Sequence, residues 1–296
     1  MRPACADIMK KNTFYYPLLF VALIWGGNFV FSKIALSGIR PFTLVSFRNI
    51  LTAFAFFSLW KYRGGRIIKP GKDLLYVFGL GILGIILNQL FFLIGLDMTT
   101  PSHSAIILAL IPVMIMFMEK IREKTRITPR EALGSAVAFT GVVILVAGRG
   151  ISISSEHLAG DAITFIGGFI FAAFTYLGKP MVMKYGPLAV TAYASIMSTI
   201  LLAPLFLIDI KKINTADITM PVVLSFIYMV VFAAVLAYYW YYKALEKMPA
   251  SSSSTVIYFE PVIAAVLSVA LLNETMYWNV IAGGIAVMGG LVVIHR

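Results

Sequence analysis

The stretches GLDMTTPSHSAIILALIPV at 95–113 and ALEKMPASSSSTVIYFEPV at 244–262 occupy equivalent places in the two halves of the chain. Glycines, prolines and their apolar neighbours recur at an offset of 149 residues: Gly95-Leu96 as Ala244-Leu245, Pro112-Val113 as Pro261-Val262, Gly134 as Gly283, and Gly141 as Gly290. Nearer the start of each half the offset is 146, which relates Lys33 to Lys179 and Pro41 to Pro187. One three-residue insertion accounts for the difference between the two offsets, so the chain contains an internal repeat of two halves.

The composition indicates a membrane protein. Hydrophobic residues make up 60% of the 296 residues and charged residues only 12%, whereas soluble domains carry about 25% charged residues. A helix that crosses the hydrocarbon needs roughly 20 mostly apolar residues. Ten segments meet or approach that length, several of them short or interrupted by Pro: 15–36, 41–60, 73–94, 102–119, 129–148, 160–180, 187–208, 219–243, 250–271 and 276–294.

Five segments in each half make an odd number, so the second half must cross the membrane upside down relative to the first. Inverted repeats of this kind are typical of secondary transporters, in which two halves rock about a site near the middle of the membrane. The sequence therefore predicts an all-α integral membrane fold of ten transmembrane helices, arranged as two inverted five-helix repeats around a central cavity. The repeats are predicted at 15–148 and 160–294.

The distribution of Lys and Arg predicts the orientation. With the N-terminus inside, cytoplasmic segments hold 18 of the 24 basic residues, the opposite side holds five, and Arg48 lies within a helix. This bias places both termini in the cytoplasm. The net charge of +11 is thus explained by orientation and by contact with anionic lipid, and it predicts no nucleic-acid partner.

Several motifs resemble the EamA-type branch of the drug/metabolite transporter superfamily, over nearly the whole chain. They are Trp25-Gly26-Gly27-Asn28, Ala244-Leu245…Pro249-Ala250…Glu260-Pro261-Val262, Leu272-Asn273-Glu274 and Gly283…Gly290. The resemblance implies two tandem EamA domains, ten helices, a central cavity, transport of small metabolites and a bacterial cytoplasmic membrane. The first repeat departs from the pattern, because Ile111 stands in the place of Glu260, and Thr125 or a neighbour in that of Glu274.

Charged residues within the membrane are the first candidates for the site, because burying a charge in lipid is costly. Glu260 lies near the middle of the ninth segment and shares a helix face with Ser253 and Ile257. It could couple transport to protons, bind a substrate amine, or make a structural hydrogen bond. Arg48 lies about 10 Å into the second segment and could line the cavity or snorkel to the interface. An Arg48–Glu260 pair would neutralise both charges.

Aromatic and amide residues complete the predicted substrate site: Trp25, Asn28, Asn88, Gln89, Tyr238 and Tyr239. The run 238–242 also fits an interfacial aromatic belt, of which Tyr238 and Tyr239 are the members predicted to reach the cavity. His103 could gate or titrate, with capping or a surface position as the alternative. The serines at 251–254 are predicted to cap the ninth helix, as Thr100 and its neighbours would cap the fourth.

The function predicted is secondary transport, in the direction of export, of small polar or amphipathic metabolites such as amino acids. A sugar-phosphate or nucleotide-sugar exchanger would call for several cavity cations, and a membrane enzyme or assembly factor would call for clustered acids, histidines or metal ligands. The three histidines are not at metal-ligand spacing, and no ATP-binding motif is present. The sequence thus predicts no enzyme, metal or cofactor, with a homodimer contact on the fifth and tenth helices left open.

Overall fold

The computed structural model describes residues 4–147, 156–209 and 215–295, which form helices and no strand. Besides a short turn at Thr215–Asp217, the described chain forms ten successive helices, some with irregular segments. They are α1 (Ala4–Leu36), α2 (Pro41–Tyr62), α3 (Lys72–Met98), α4 (Pro101–Glu123), α5 (Pro129–Ala147), α6 (Glu156–Tyr185), α7 (Pro187–Asp209), α8 (Met220–Lys247), α9 (Ala250–Leu272) and α10 (Trp278–His295). The prediction of an all-helical fold is confirmed.

Eight of these helices are long and apolar enough to cross a membrane by length and composition, and α5 and α10 fall outside that set. Four helices begin at a proline: Pro41, Pro101, Pro129 and Pro187. Proline suits the first helical position because the N–H group that it lacks would have no partner there. These prolines therefore fix where α2, α4, α5 and α7 begin.

Irregular helix segments occupy matching places in the two halves. A π-helical segment at Ile82–Leu87 interrupts α3, and one at Met229–Ala237 interrupts α8. In α4 the helix is broken at 109–110, and in α9 a 3-10 segment spans Thr255–Phe259. These last two precede Pro112 and Pro261, whose rings clash with the carbonyl four residues earlier. The membrane-embedded prolines thus account for the irregularities in α4 and α9.

The packing of the helices follows the repeat. Helix α1 packs against α8 and α9, and its counterpart α6 packs against α3 and α4. Three other large contacts pair a helix with its own counterpart: α2 with α7, α4 with α9, and α5 with α10. The contact of α3 with α7 is matched in the other half by that of α8 with α2. Exchanging the two halves therefore leaves this set of contacts unchanged.

The lysines at equivalent positions of the two halves cap equivalent helix C-termini. The Nζ of Lys33 donates to the backbone oxygens of Leu96, Asp97 and Thr99, where α3 ends, at 2.7–2.9 Å. The Nζ of Lys179 donates at 2.7 Å to the oxygen of Met248, the residue equivalent to Thr99, where α8 ends. The last carbonyls of a helix have no partner within it, and a cation there also complements the helix dipole.

The repeated glycines bring α5 and α10 into backbone contact. A Cβ built on Gly134 would approach the oxygen of Gly290 at 2.5 Å, and one built on Gly141 would approach that of Gly283 at 2.7 Å. Both separations are too short for any side chain. The four glycines that recur at the offset of 149 residues are therefore required by this helix–helix contact, as small residues often are in membrane bundles.

Replacing Gly290 with Ala is expected to lower the free energy of unfolding by about 1–3 kcal/mol, because a methyl group overpacks a contact with no room to relax. Gly289→Ala is the matched control, since nothing lies within 4 Å of a Cβ added there and its effect should stay within about 0.5 kcal/mol. Thermal unfolding of both variants in detergent measures the difference. Equal melting temperatures for the two variants would contradict this account of the α5–α10 contact.

Candidate functional site

A polar cavity lies at the centre of the bundle, between residues of α1, α2, α3, α4, α6, α8 and α9. Its volume is about 70 Å³. Eight of the ten residues predicted from the sequence line it: Trp25, Asn28, Arg48, Asn88, Gln89, Tyr238, Ile257 and Glu260. Lining residues that the sequence analysis missed include Phe29, Phe92, Leu108, Ile111 and Phe171.

The cavity holds two formally charged groups of opposite sign. Arg48 is 6% exposed and Glu260 is 4% exposed. Among the described residues no ion pair within 4 Å joins them, so the Arg48–Glu260 pair that the sequence left open is not formed. The Nη1 of Arg48 and the Oε1 of Glu260 are buried and have no hydrogen-bond partner in the described part of the chain. Both groups are available to a ligand between them.

Three amides add donors and acceptors. The Nδ2 of Asn88 donates to the oxygen of Gly167 at 3.1 Å, which fixes this side chain against α6. The Nε2 of Gln89 donates to the hydroxyl of Tyr238 at 3.0 Å. The buried Oε1 of Gln89 and Oδ1 of Asn28 have no partner among the described residues. Buried polar atoms are usually satisfied, so acceptors left free in a cavity indicate a ligand surface.

Trp25 anchors the aromatic wall. Its Nε1 donates to the oxygen of Ala233, within the π-helical segment of α8, at 3.1 Å. Its ring lies 5.3 Å from Tyr238, 5.0 Å from Tyr241 and 5.9 Å from Phe171, measured between centroids. Tyr241 is fully buried, and so is Tyr242. The belt interpretation of the 238–242 run is therefore wrong for these two residues, which pack inside the bundle.

Tyr239 and Ser253 do not line the polar cavity. Tyr239 is half-buried and accepts a hydrogen bond at 2.9 Å from the Nη1 of Arg63, just beyond the end of α2. The Oγ of Ser253 is buried and donates to the oxygen of Pro249 at 3.0 Å. Helix periodicity placed Ser253 on the face of Glu260, but the 3-10 segment between them changes the register.

The predicted serine cap of α9 is also corrected. Hydroxyls of this run donate to carbonyls, as Ser254 does to Ala250 at 2.8 Å, rather than accept from free N–H groups. Instead the N–H of Ala250 donates to the Oε1 of Glu119, on α4, at 3.0 Å. In the first half the cap forms as predicted, because the Oγ1 of Thr100 accepts from the N–H of His103 at 3.4 Å.

A second, apolar cavity of about 50 Å³ adjoins the first between α2, α3, α6, α7 and α8. The two cavities share Arg48, Gln89 and Tyr238, so these side chains form the wall between them. Apolar residues dominate the far side: Val45, Phe56, Ile85, Phe174, Val190, Ala194, Ala234 and Tyr242. The polar cavity and the apolar cavity thus lie on either side of these three side chains, two of which, Gln89 and Tyr238, are hydrogen-bonded.

A further polar cluster lies outside both cavities. His103 is fully buried, and its Nδ1 lies 3.1 Å from the Oδ2 of Asp161, at the start of α6. The backbone of His103 takes part in the cap of α4, as the sequence suggested. Its side chain, however, is buried and does not lie at the surface. Asp161 was missed because nothing in the sequence indicates what lies opposite it.

Comparison with known proteins gives the family. Residues 14–147 and 158–296 each match the model of the EamA-like transporter family. An uncharacterized transporter from Archaeoglobus fulgidus is 29% identical over 276 residues, which cover 93% of this chain and 94% of the relative. A probable amino-acid metabolite efflux pump from Salmonella typhimurium is 25% identical over 287 residues, or 93% of this chain and 92% of the relative.

A crystal structure with 15% sequence identity superposes on this chain with a TM-score of 0.70, covering 96% of this chain and 97% of the other. At that identity the likeness shows a common fold. The family match, by contrast, covers both halves of the sequence, and the structure adds multiple apolar helices long enough to span a membrane. The chain therefore belongs to the EamA-like transporter family and is a multi-pass membrane protein.

Proposed function

We propose that this transporter exports small zwitterionic metabolites of the amino-acid class. The observation that carries the proposal is the presence of Arg48 and Glu260 in one cavity without a direct contact. A guanidinium binds a carboxylate through paired hydrogen bonds, and a carboxylate binds an ammonium group. An amino acid supplies both groups, and its binding would neutralise both buried charges at once.

The uncharged walls suit the same ligand. The ring of Trp25 can stabilise an ammonium group through a cation–π contact, which is strongest for this side chain when water is excluded. The free oxygens of Asn28 and Gln89 can accept from its N–H groups. Arg48 is the one cation among the described residues that line the two cavities. A sugar phosphate or nucleotide sugar carries more negative charge than one cation balances.

Alternating access by two inverted five-helix repeats is part of the proposal. It is supported by helix contacts that have counterparts in both halves, and by a cavity between the halves. The residues named for the two cavities lie on α1–α4 and α6–α9. Helices α5 and α10 would stand at the periphery, where they are candidates for a homodimer contact. Export is the direction that the name of the Salmonella relative supports.

Counterflow in proteoliposomes tests the substrate class. Vesicles preloaded with unlabelled amino acid should accumulate the labelled form, whereas vesicles preloaded with the matching amine, the matching carboxylic acid or a sugar phosphate should accumulate much less. An empty-vesicle preparation and a protein-free preparation set the background. Exchange of sugar phosphates without exchange of amino acids would overturn the proposal, and so would failure with every class while the protein remains folded.

Single cysteines in a Cys5→Ser background test the proposed orientation, in which both termini face the cytoplasm. An impermeant thiol reagent applied to intact cells should label Ser154→Cys and Asn214→Cys, and should leave Arg66→Cys and Thr125→Cys unlabelled until the cells are lysed. The reason is that the basic loops around positions 66 and 125 stay on the cytoplasmic side. Labelling of position 66 from outside would contradict this topology.

A further inference from the structure

A buried hydrogen-bonded cluster lies at one end of the bundle, where α3 ends and α4 and α6 begin. The Oγ1 of Thr99 donates to the Oδ1 of Asp161 at 2.6 Å, and the Nδ1 of His103 contacts the Oδ2 at 3.1 Å. His103 is 0% exposed and Asp161 is 4% exposed. The Nε2 of His103 is buried with no partner among the described residues. Both oxygens of the carboxylate are thus engaged, and the imidazole keeps one free nitrogen.

Other charged or titratable groups approach this cluster from the elements packed around it. Lys33, on α1, donates to the backbone oxygens of Asp97 and Thr99, and Asp97 itself lies in the last turn of α3. The Nδ1 of His157, on α6, lies 2.9 Å from the oxygen of Met98. The Oε2 of Glu274, beyond the end of α9, accepts from Ser102 at 3.1 Å. Within this set, His103 is the side chain that contacts Asp161.

In the other half, the positions equivalent to this cluster carry different residue types. The offsets of 149 and 146 residues relate His103 to Ser252, Thr99 to Met248 and Asp161 to Tyr15. The lysine that closes the helix end is kept in both halves, as Lys33 and Lys179, but the His–Asp pair is not. A feature that breaks an otherwise matching arrangement is not required by the architecture.

We propose that His103 and Asp161 form a proton-binding site that holds this end of the bundle closed. A protonated imidazole next to a carboxylate makes a pair with no net charge, which can be buried with its hydrogen bonds intact. Loss of the proton leaves the carboxylate facing a neutral imidazole, and a buried charge without an opposite charge is strongly destabilising. Closure therefore takes up a proton, and opening, which lets water reach the carboxylate, releases it.

The direction of the pH dependence follows from this linkage. The closed state binds more protons than the open state, so a low pH favours closure and a high pH favours opening. One proton changes the ratio of the two states by at most about tenfold per pH unit. In the proposed orientation this end faces the outside of the cell, so the site would respond to external protons. It is separate from the central cavity that holds Arg48 and Glu260.

Cysteine accessibility in the purified protein tests this proposal without any transport assay, so its outcome is independent of the proposed substrate. Ser104→Cys, in a Cys5→Ser background, places a thiol beside His103 at a position that is 0% exposed. Ser37→Cys places one at an exposed position of the same end and corrects for ionisation of the thiol. The ratio of maleimide labelling rates at positions 104 and 37 should rise about tenfold from about pH 6 to about pH 8.

His103→Gln should make that ratio independent of pH, because the proton-binding imidazole is gone. Asp161→Asn should abolish the rise, because without the carboxylate a protonated imidazole would be buried as an unpaired charge. His157→Gln, the other described histidine at this end, is the matched control and should keep the rise. If one of the two site variants does not fold, the other still decides the matter. A flat ratio in the parent protein, or a parent-like rise in a folded His103→Gln or Asp161→Asn variant, would overturn the proposal.

Discussion

Replacing Glu260 with Gln is expected to lower amino-acid transport by about 10- to 100-fold while leaving the yield of folded protein unchanged. A hydrogen bond to a charged group contributes about 1.5–3 kcal/mol, and Gln can keep the hydrogen bond but not the charge. Its shape also fits the same space, so the loss reports the missing charge. Counterflow of labelled amino acid, measured in proteoliposomes between about pH 5.5 and pH 8, gives the rate and its pH dependence.

Glu123→Gln is the matched control for this experiment, because Glu123 is exposed at the end of α4 and lines neither central cavity. Its transport should stay close to that of the parent protein. If Glu260→Gln transports at the parent rate across the whole pH range, transport does not use the charge of Glu260. The site would then consist of Arg48, Trp25 and the amides Asn88 and Gln89.

Arg48→Gln is expected to weaken transport of amino acids by about 10- to 100-fold, because it removes the paired hydrogen bonds to the substrate carboxylate. Transport of the corresponding amines, which have no carboxylate, should be reduced much less in this variant. Arg48→Lys keeps the charge but not the planar pair of donors. Its rate of amino-acid transport should therefore fall between that of the parent protein and that of Arg48→Gln. Competition of unlabelled amino acid and amine against labelled amino acid measures the selectivity of each variant.

Arg40→Gln provides the control for Arg48, since Arg40 is exposed where α2 begins. It should transport amino acids and amines as the parent protein does. An equal loss of both ligands in Arg48→Gln would mean that Arg48 supports the cavity rather than binds the carboxylate. A loss confined to the amine would contradict the assignment of the two charges to the two ends of the ligand.

The fold could be predicted from sequence wherever one residue determines the local outcome. Proline at the first helical position set the start of α2, α5 and α7 at the residues predicted, because its missing N–H costs nothing there. The membrane requirement for internally satisfied backbone made the long apolar runs helical. Most of the site followed in the same way, since polar residues such as Asn88 and Glu260 in apolar helices had few other places to face.

What could not be predicted depends on which helices meet. Asp161 reads as an ordinary residue near the start of a helix until α4 brings His103 against it. Tyr241 and Tyr242 were predicted to lie at the membrane interface, but in the structure they are buried against α6. The hydroxyl of Tyr241 lies 3.4 Å from Thr175. The 3-10 segment of α9 moved Ser253 away from the cavity, because a straight helical period no longer holds across Thr255–Phe259.

Contacts between equivalent positions of the two halves have a consequence for motion. Gln89 bonds Tyr238, 149 residues away, and Asn49 bonds Ser195, 146 residues away. In the proposed alternating-access cycle the two halves would exchange conformations. Each of these pairs joins two equivalent positions, so its hydrogen bond would be kept in both conformations. The pair of His103 and Asp161 is equivalent instead to Ser252 and Tyr15, so in the proposed cycle it would separate. In such a cycle the two halves would rotate about hydrogen bonds that stay intact, whereas the proton at His103 and Asp161 would be bound in only one of the two end states.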